Sequence, residues 1–311
     1  MIVARKENSM PIHENRAQTL RNMQIVMGEH PPRDPALALE VEVLAEERGD
    51  GWTRRTLTFV AEPGDRVPAH LFIPEHASGA AMLCLHQTTA IGKDEPSGLG
   101  GNPSLHYARE LAERGFVTLA PDYPGYGDYH ADAYAMGYAS ATMKGIVNHE
   151  RAVDLLASLP EVDPGRIGCI GHSLGGHNAL FVAAFDERLR AVVTSCGFGS
   201  FGTYHGGDLT GWSHSGYMPR IATVYERDAA RMPFDFPEVL AAMAPRGVFI
   251  NAPTEDSFVL AGVLECIEAA RSVYALHRVE ERLVAAHPEC GHDFPPEVRE
   301  QAYRWAARVL G

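Results

Sequence analysis

From residue 74 onward the chain alternates short apolar runs with stretches of helical periodicity. Segments 81–85, 117–120, 167–170, 191–195, 248–250 and 282–286 read as strands. Segments 104–114, 139–159, 174–185, 236–243, 259–276 and 297–309 read as helices. A strand with no polar face is buried on both sides, and neighbouring parallel strands need a helical crossover. The pattern therefore predicts an α/β fold, a mainly parallel sheet covered by helices on both faces. Three earlier β-like runs, 39–44, 52–60 and 67–73, precede it. The turn-formers Glu62-Pro63-Gly64-Asp65 join the last two, so they read as an antiparallel hairpin at one edge of the sheet. Residues 14–28 read as a helix ended by Gly28, with Pro31 and Pro32 just beyond. The expected organisation is an N-terminal helical extension over 1–38 and one α/β domain over 39–311. The loop-rich stretch 197–232 breaks the rhythm and is the expected lid or pocket wall. The N-terminal helix is a candidate homo-oligomer contact or part of the pocket roof.

Composition narrows the function classes. Of 311 residues, 45% are apolar and 22% charged, enough to build a core without disulfides or metal. With 27 Lys plus Arg against 40 Asp plus Glu, the net charge is -13. Such a chain has no general attraction to phosphate backbones or anionic membranes. The five cysteines form no C-x-x-C pair, so neither a zinc motif nor a redox motif is suggested. The N-terminus lacks the apolar core of a signal peptide, and no run is long enough for a membrane helix. The expected partner is a small molecule and the expected setting the reducing cytoplasm, with no nucleic acid, membrane, cofactor or metal required.

In open parallel sheets, ligands bind beyond the carboxyl ends of the strands. At one such end stands Gly171-His172-Ser173-Leu174-Gly175, a G-x-S-x-G pentapeptide. An apolar strand leads into it and a helical pattern leads out, the context of a nucleophile elbow. Gly171 and Gly175 omit Cβ atoms where strand and helix meet closely, and Gly176 lets the helix pack tightly. The free N–H groups of the helix start suit developing negative charge. Ser173 is the expected nucleophile.

A serine hydroxyl needs a base to take its proton. The expected base is His292, in the loop between the last strand and the last helix, where Gly291 permits a sharp turn; His287 is the alternative. The imidazole needs a carboxylate to fix its tautomer and offset its transient charge. Asp256, after the preceding strand, is the expected acid, ahead of Glu255, Asp228 and Asp235. The order Ser173, Asp256, His292 is the one that accompanies this kind of elbow. Two backbone N–H groups must hold the oxyanion. Leu174 is the first, and Thr88, ahead of Gln87, the second. His172 and His177 flank the elbow as site-lining or capping residues, and His86 is placed under the oxyanion loop. His172 and His177 do not have i, i+4 ligand spacing, and no H-E-x-x-H occurs, which argues against a metal-dependent hydrolase.

With these residues the sequence resembles the α/β-hydrolases, most closely the dienelactone-hydrolase-like and acetyl-xylan-esterase-like branch, from about residue 39 to the C-terminus. The elbow, the Asp256 loop and Gly291-His292-Asp293-Phe294-Pro295 carry the resemblance. Asp122-Tyr123-Pro124-Gly125-Tyr126-Gly127 resembles the family's loop after its fourth strand. Two departures stand out. His86-Gln87 replaces the usual His-Gly before the oxyanion donor. Ser173 stands where a dienelactone hydrolase carries Cys, which points away from that substrate. The stretch 197–232 holds Phe198, Phe201, Tyr204, Trp212, Tyr217 and Tyr225, and Trp212, Tyr217 and Tyr126 are the expected substrate-pocket residues. Arg220 is read as a surface ion-pairing residue rather than a substrate clamp. The expected activity is cleavage of a small or medium carboxylic ester through an acyl-enzyme on Ser173. A peptidase or amidase with the same triad, and a non-catalytic binding protein on the same fold, are the alternatives.

Overall fold

The structure is a computed structural model that describes residues 16–311. Helix α1 (Arg16–Met27) leads to strands β1 (Glu42–Arg48), β2 (Trp52–Glu62), β3 (Asp65–Pro74) and β4 (Gly79–Leu85). Then follow α2 (Tyr107–Ala112), β5 (Val117–Pro121), α3 (Ala141–Ser158), β6 (Val162–His172), α4 (Leu174–Phe185) and β7 (Leu189–Ser195). The chain closes with α5 (Arg220–Thr223), α6 (Phe236–Ala241), β8 (Gly247–Asn251), α7 (Leu260–Leu276), β9 (Leu283–Ala286) and α8 (Pro296–Leu310).

The nine strands among the described residues form one sheet, in the order β1-β2-β3-β5-β4-β6-β7-β8-β9. The β1-β2-β3 meander is antiparallel and β5 through β9 run parallel, so the hairpin sits at one edge as expected. Its turn closes where Glu62 pairs with Asp65. The central strands are buried along almost their whole length, which is why they carry no polar face. On one side of the sheet the core gathers Met23, Ile146, Leu180, Val239 and Ile267, from α1, α3, α4, α6 and α7. On the other it gathers Tyr107, Leu111, Ala302 and Trp305, from α2 and α8.

Two boundaries differ from expectation. The first strand runs Glu42–Arg48 rather than 39–44, and every one of its residues is exposed. With no buried face, it has no alternation to mark its limits. The helix expected over 104–114 is split into a short turn, Pro103–Leu105, and α2. The Pro96 carbonyl accepts from the N–H of Ala108, so the first turn of α2 is bonded to a neighbouring loop instead of to residue 104. Within residues 197–232 the chain makes short turns and α5. Phe198, Phe201 and Trp212 from that stretch are buried in the main core. No helix among the described residues is long and apolar enough to cross a membrane.

Candidate active site

The turn between β6 and α4 carries Ser173 in a conformation few side chains adopt, φ 54° and ψ -115°. Such a backbone costs on the order of 1–3 kcal/mol and persists only where its surroundings hold it. Here the Ser173 N–H donates to the Ser195 carbonyl at 2.8 Å, and its own carbonyl accepts from His177 N–H at 3.1 Å. The glycines are required by contact. A Cβ on Gly175 would stand 1.9 Å from the Leu85 carbonyl oxygen, and one on Gly171 2.2 Å from the Gly175 oxygen. Leu174 is the first residue of α4, so its N–H has no acceptor within the helix.

Strand register explains what surrounds the elbow. His172, Ser195 and Asn251 are the last residues of β6, β7 and β8, and they stand side by side across the carboxyl edge of the sheet. Ser195 Oγ lies 2.9 Å from His172 Nδ1 and accepts from Asn251 Nδ2 at 2.8 Å. Asn251 also donates to the carbonyl of Asp293, the residue after His292, at 2.9 Å. This row anchors the His292 loop from below. The His292 ring packs edge-on to His172, with centroids 4.8 Å apart. Burial keeps His172 neutral by lowering its pKa to about 3.

His292 Nδ1 bonds Asp256 Oδ1 at 2.8 Å, and the Asp256 side chain is 1% exposed against 34% for His292. Burial alone would raise the pKa of Asp256. Hydrogen bonds from His292, the Cys196 thiol and the Phe258 N–H outweigh it and hold the group at about 2. The second carboxylate oxygen, Oδ2, has no conventional hydrogen-bond partner among the described residues. The Ser173 hydroxyl, half-buried, is not hydrogen-bonded to His292 among the described residues. Such contacts are commonly loose before substrate binds.

The alternative residues are engaged elsewhere. His287 Nδ1 bonds the Ala252 carbonyl at 3.0 Å. Asp228 caps the turn at Ala229–Arg231, and Asp235 caps α6 through a capping box while accepting from the Phe201 N–H. Burial raises Asp235 to about 6. Glu255 is exposed, with its N–H on the Cys290 carbonyl. Arg220 does not form the expected surface ion pair among the described residues; it donates to the Ile25 carbonyl at 2.9 Å and so ties α1 to α5. His86 is buried and joins two loops, with Nδ1 at 2.6 Å from the Gln87 carbonyl and Nε2 accepting from the Tyr123 N–H at 3.0 Å.

Thr88 is exposed, with its hydroxyl 2.9 Å from that of Tyr217. Tyr217 and Tyr126 pack against the small cluster that contains Leu174 and Tyr123, beside the elbow. Trp212 is only 2% exposed and packs against the rings of Tyr217 and His177. Cys196, Asn251 and Ser195 were not singled out from the sequence. Their only signal was shared position at strand ends, which becomes visible once register is known. A groove of about 620 Å³ beside Arg188 and Arg246 and one of about 560 Å³ beside Trp305 lie on other faces and do not include Ser173.

A family model described as acetyl xylan esterase (AXE1) matches residues 54–201, and one described as fungal glucuronyl esterase matches residues 129–277. The Pseudomonas aeruginosa protein PA2218 is 36% identical over 145 residues, which is 45% of this chain and 36% of that protein. The putative hydrolase YtaP of Bacillus subtilis is 27% identical over 194 residues, 58% of this chain and 64% of its own. The chain thus spans between about a third and two-thirds of the length of these curated relatives. A solved glucuronoyl esterase from Solibacter usitatus superposes with a TM-score of 0.75 at 19% identity, covering 95% of this chain and 92% of that one. Of the two branches that the sequence resembles, the acetyl-xylan-esterase-like one is matched here.

Proposed function

We propose that this chain, an α/β-hydrolase in fold and acetyl-xylan-esterase-like in sequence, is a serine esterase acting on a small or medium carboxylic ester. One observation carries the reading: a carboxylate-held imidazole, His292 on Asp256 at 2.8 Å, packs edge-on to His172, the residue before a serine on a strained strand-to-helix turn. Ser173 Oγ attacks the ester carbonyl carbon while His292 takes its proton. The N–H groups of Leu174 and Thr88 hold the resulting oxyanion. As the tetrahedral intermediate collapses, the C–O bond to the alcohol breaks and His292 returns the proton to the departing oxygen. Water, deprotonated by His292, then cleaves the acyl-enzyme, releasing the acid and regenerating Ser173. Asp256 stays ionised throughout and holds the imidazolium. The same geometry can protonate a leaving amine. The esterase descriptions of both matching family models favour the ester. The cytoplasmic setting rests on the five unpaired thiols, four of them buried.

A fluorophosphonate probe tests the assignment. It is expected to label one residue, Ser173, and labelling that survives Ser173→Ala overturns the reading.

A further inference from the structure

The ends of β6 and β7 and the loop before α8 bring two imidazoles and a thiol together. His172, Cys196 and His292 each offer one ligand atom, and these atoms all lie within 4.8 Å of one another. We propose that this cluster is a binding site for a thiophilic divalent cation, zinc above all, and that its occupation switches the active site off.

The donor set is two nitrogens and a sulfur, which suits zinc and not calcium or magnesium. Tetrahedral zinc, with bonds of about 2.0 Å to nitrogen and 2.3 Å to sulfur, sets its ligands roughly 3.3–3.6 Å apart. The cluster must therefore draw in by about 1.2–1.5 Å at its widest. His172 ends β6 and Cys196 directly follows β7, both buried, whereas His292 stands on a loop with its side chain 34% exposed. His292 supplies the movement, and its open side admits water as a further ligand.

The surroundings are those of a supported metal site. His172 Nδ1 is held by Ser195 Oγ, itself held by Asn251, which leaves Nε2 uncommitted. Asp256, whose side chain is 1% exposed, stands beside the Cys196 thiol and the His292 ring. A buried anion offsets the charge of a cation at this place. On coordination the thiol proton passes to solvent and no electrons change hands. An imidazole that ligates the metal cannot also take the Ser173 proton.

Binding stands on the donor set alone, whereas inhibition rests on the proposed function. Titrating Ser173→Ala with Zn²⁺ against a chromophoric chelator separates the two, because that variant reads binding without turnover. One equivalent is expected to bind. Co²⁺ in its place is expected to give the thiolate-to-cobalt charge-transfer band of a sulfur ligand. Adding Cys196→Ser is expected to abolish the band and weaken zinc binding at least tenfold. Adding His292→Ala, at an exposed position, is expected to weaken it comparably. In the wild-type protein Zn²⁺ is expected to stop ester turnover reversibly, with chelator restoring it. In Cys196→Ser, measured against its own metal-free rate, at least tenfold more zinc is expected to be needed. Absence of the band, or a band that survives Cys196→Ser, overturns the site even where esterase activity is intact. A band in a protein that turns over no ester leaves the site standing and removes the proposed function.

Discussion

Two ionisable clusters stand at the carboxyl edge of this sheet, and they are built on opposite plans. In the loops after β4 and β5, Lys93 and Asp122 are 1% and 0% exposed. Asp122 accepts from the Lys93 N–H at 2.7 Å, from Lys93 Nζ at 3.0 Å and from the Asp128 N–H at 3.0 Å. Lys93 Nζ bonds Asp128 as well. Burial pulls the Lys93 pKa down, but the two carboxylates outweigh it and the ammonium is held charged. Around Ser173 the valences are left open instead. Among the described residues, the Ser173 hydroxyl and the Leu174 N–H have no partners of that kind. A cluster that uses all its bonding capacity on itself holds a fold together. A cluster that leaves capacity unused can bind something else.

That contrast is breakable by mutation. The largest expected effect is on the open cluster. Ser173→Ala is expected to fold normally and to lose about 10³-fold or more in turnover of a p-nitrophenyl ester, on the order of 4 kcal/mol, because triad members act as a unit. Retained turnover moves the nucleophile elsewhere. Asp122→Ala is expected to invert the pattern. It leaves the buried ammonium with Asp128 as its one hydrogen-bonded carboxylate among the described residues and costs on the order of 3 kcal/mol in denaturant unfolding, with far less effect on turnover per folded molecule. Equal stability for Asp122→Ala and wild type erases the distinction between the clusters.

Gly175→Ala lies between the two, since its Cβ meets the Leu85 carbonyl at 1.9 Å. Backbone must shift, so a loss of about 1–3 kcal/mol is expected together with reduced turnover. The smallest effect is a pH dependence. The pKa of Asp256 is depressed to about 2 in the fold, so its ionised form favours the folded state. That advantage is full above the ordinary carboxylate range and fades as pH falls toward 2. Unfolding free energies of wild type and Asp256→Asn, compared between pH 5 and pH 2, are expected to converge. A constant gap contradicts the depressed value.

The elbow was readable in the sequence because its requirements are local: two glycines, a serine and a change from strand to helix within a few residues. His292 and Asp256 were readable by chain order, since each follows a strand. The row His172-Ser195-Asn251 was not, because its members come from three strand ends and meet only through register. The limits of β1 were hidden for the opposite reason, a strand with nothing buried to impose a pattern. Trp212 is buried among other aromatics, because aromatic density marks a core as readily as a pocket.

The grip on α1 has a consequence for how the chain assembles. Arg220 reaches back 195 residues to the Ile25 carbonyl, and Asn22 reaches forward 211 residues to that of Pro233. Met23, Val26 and Met27, fully covered in the finished molecule, are therefore synthesised long before the segments that clasp them. Contacts this distant in sequence close slowly, and a greasy stripe that leaves the ribosome ahead of its cover must wait for that cover to be translated.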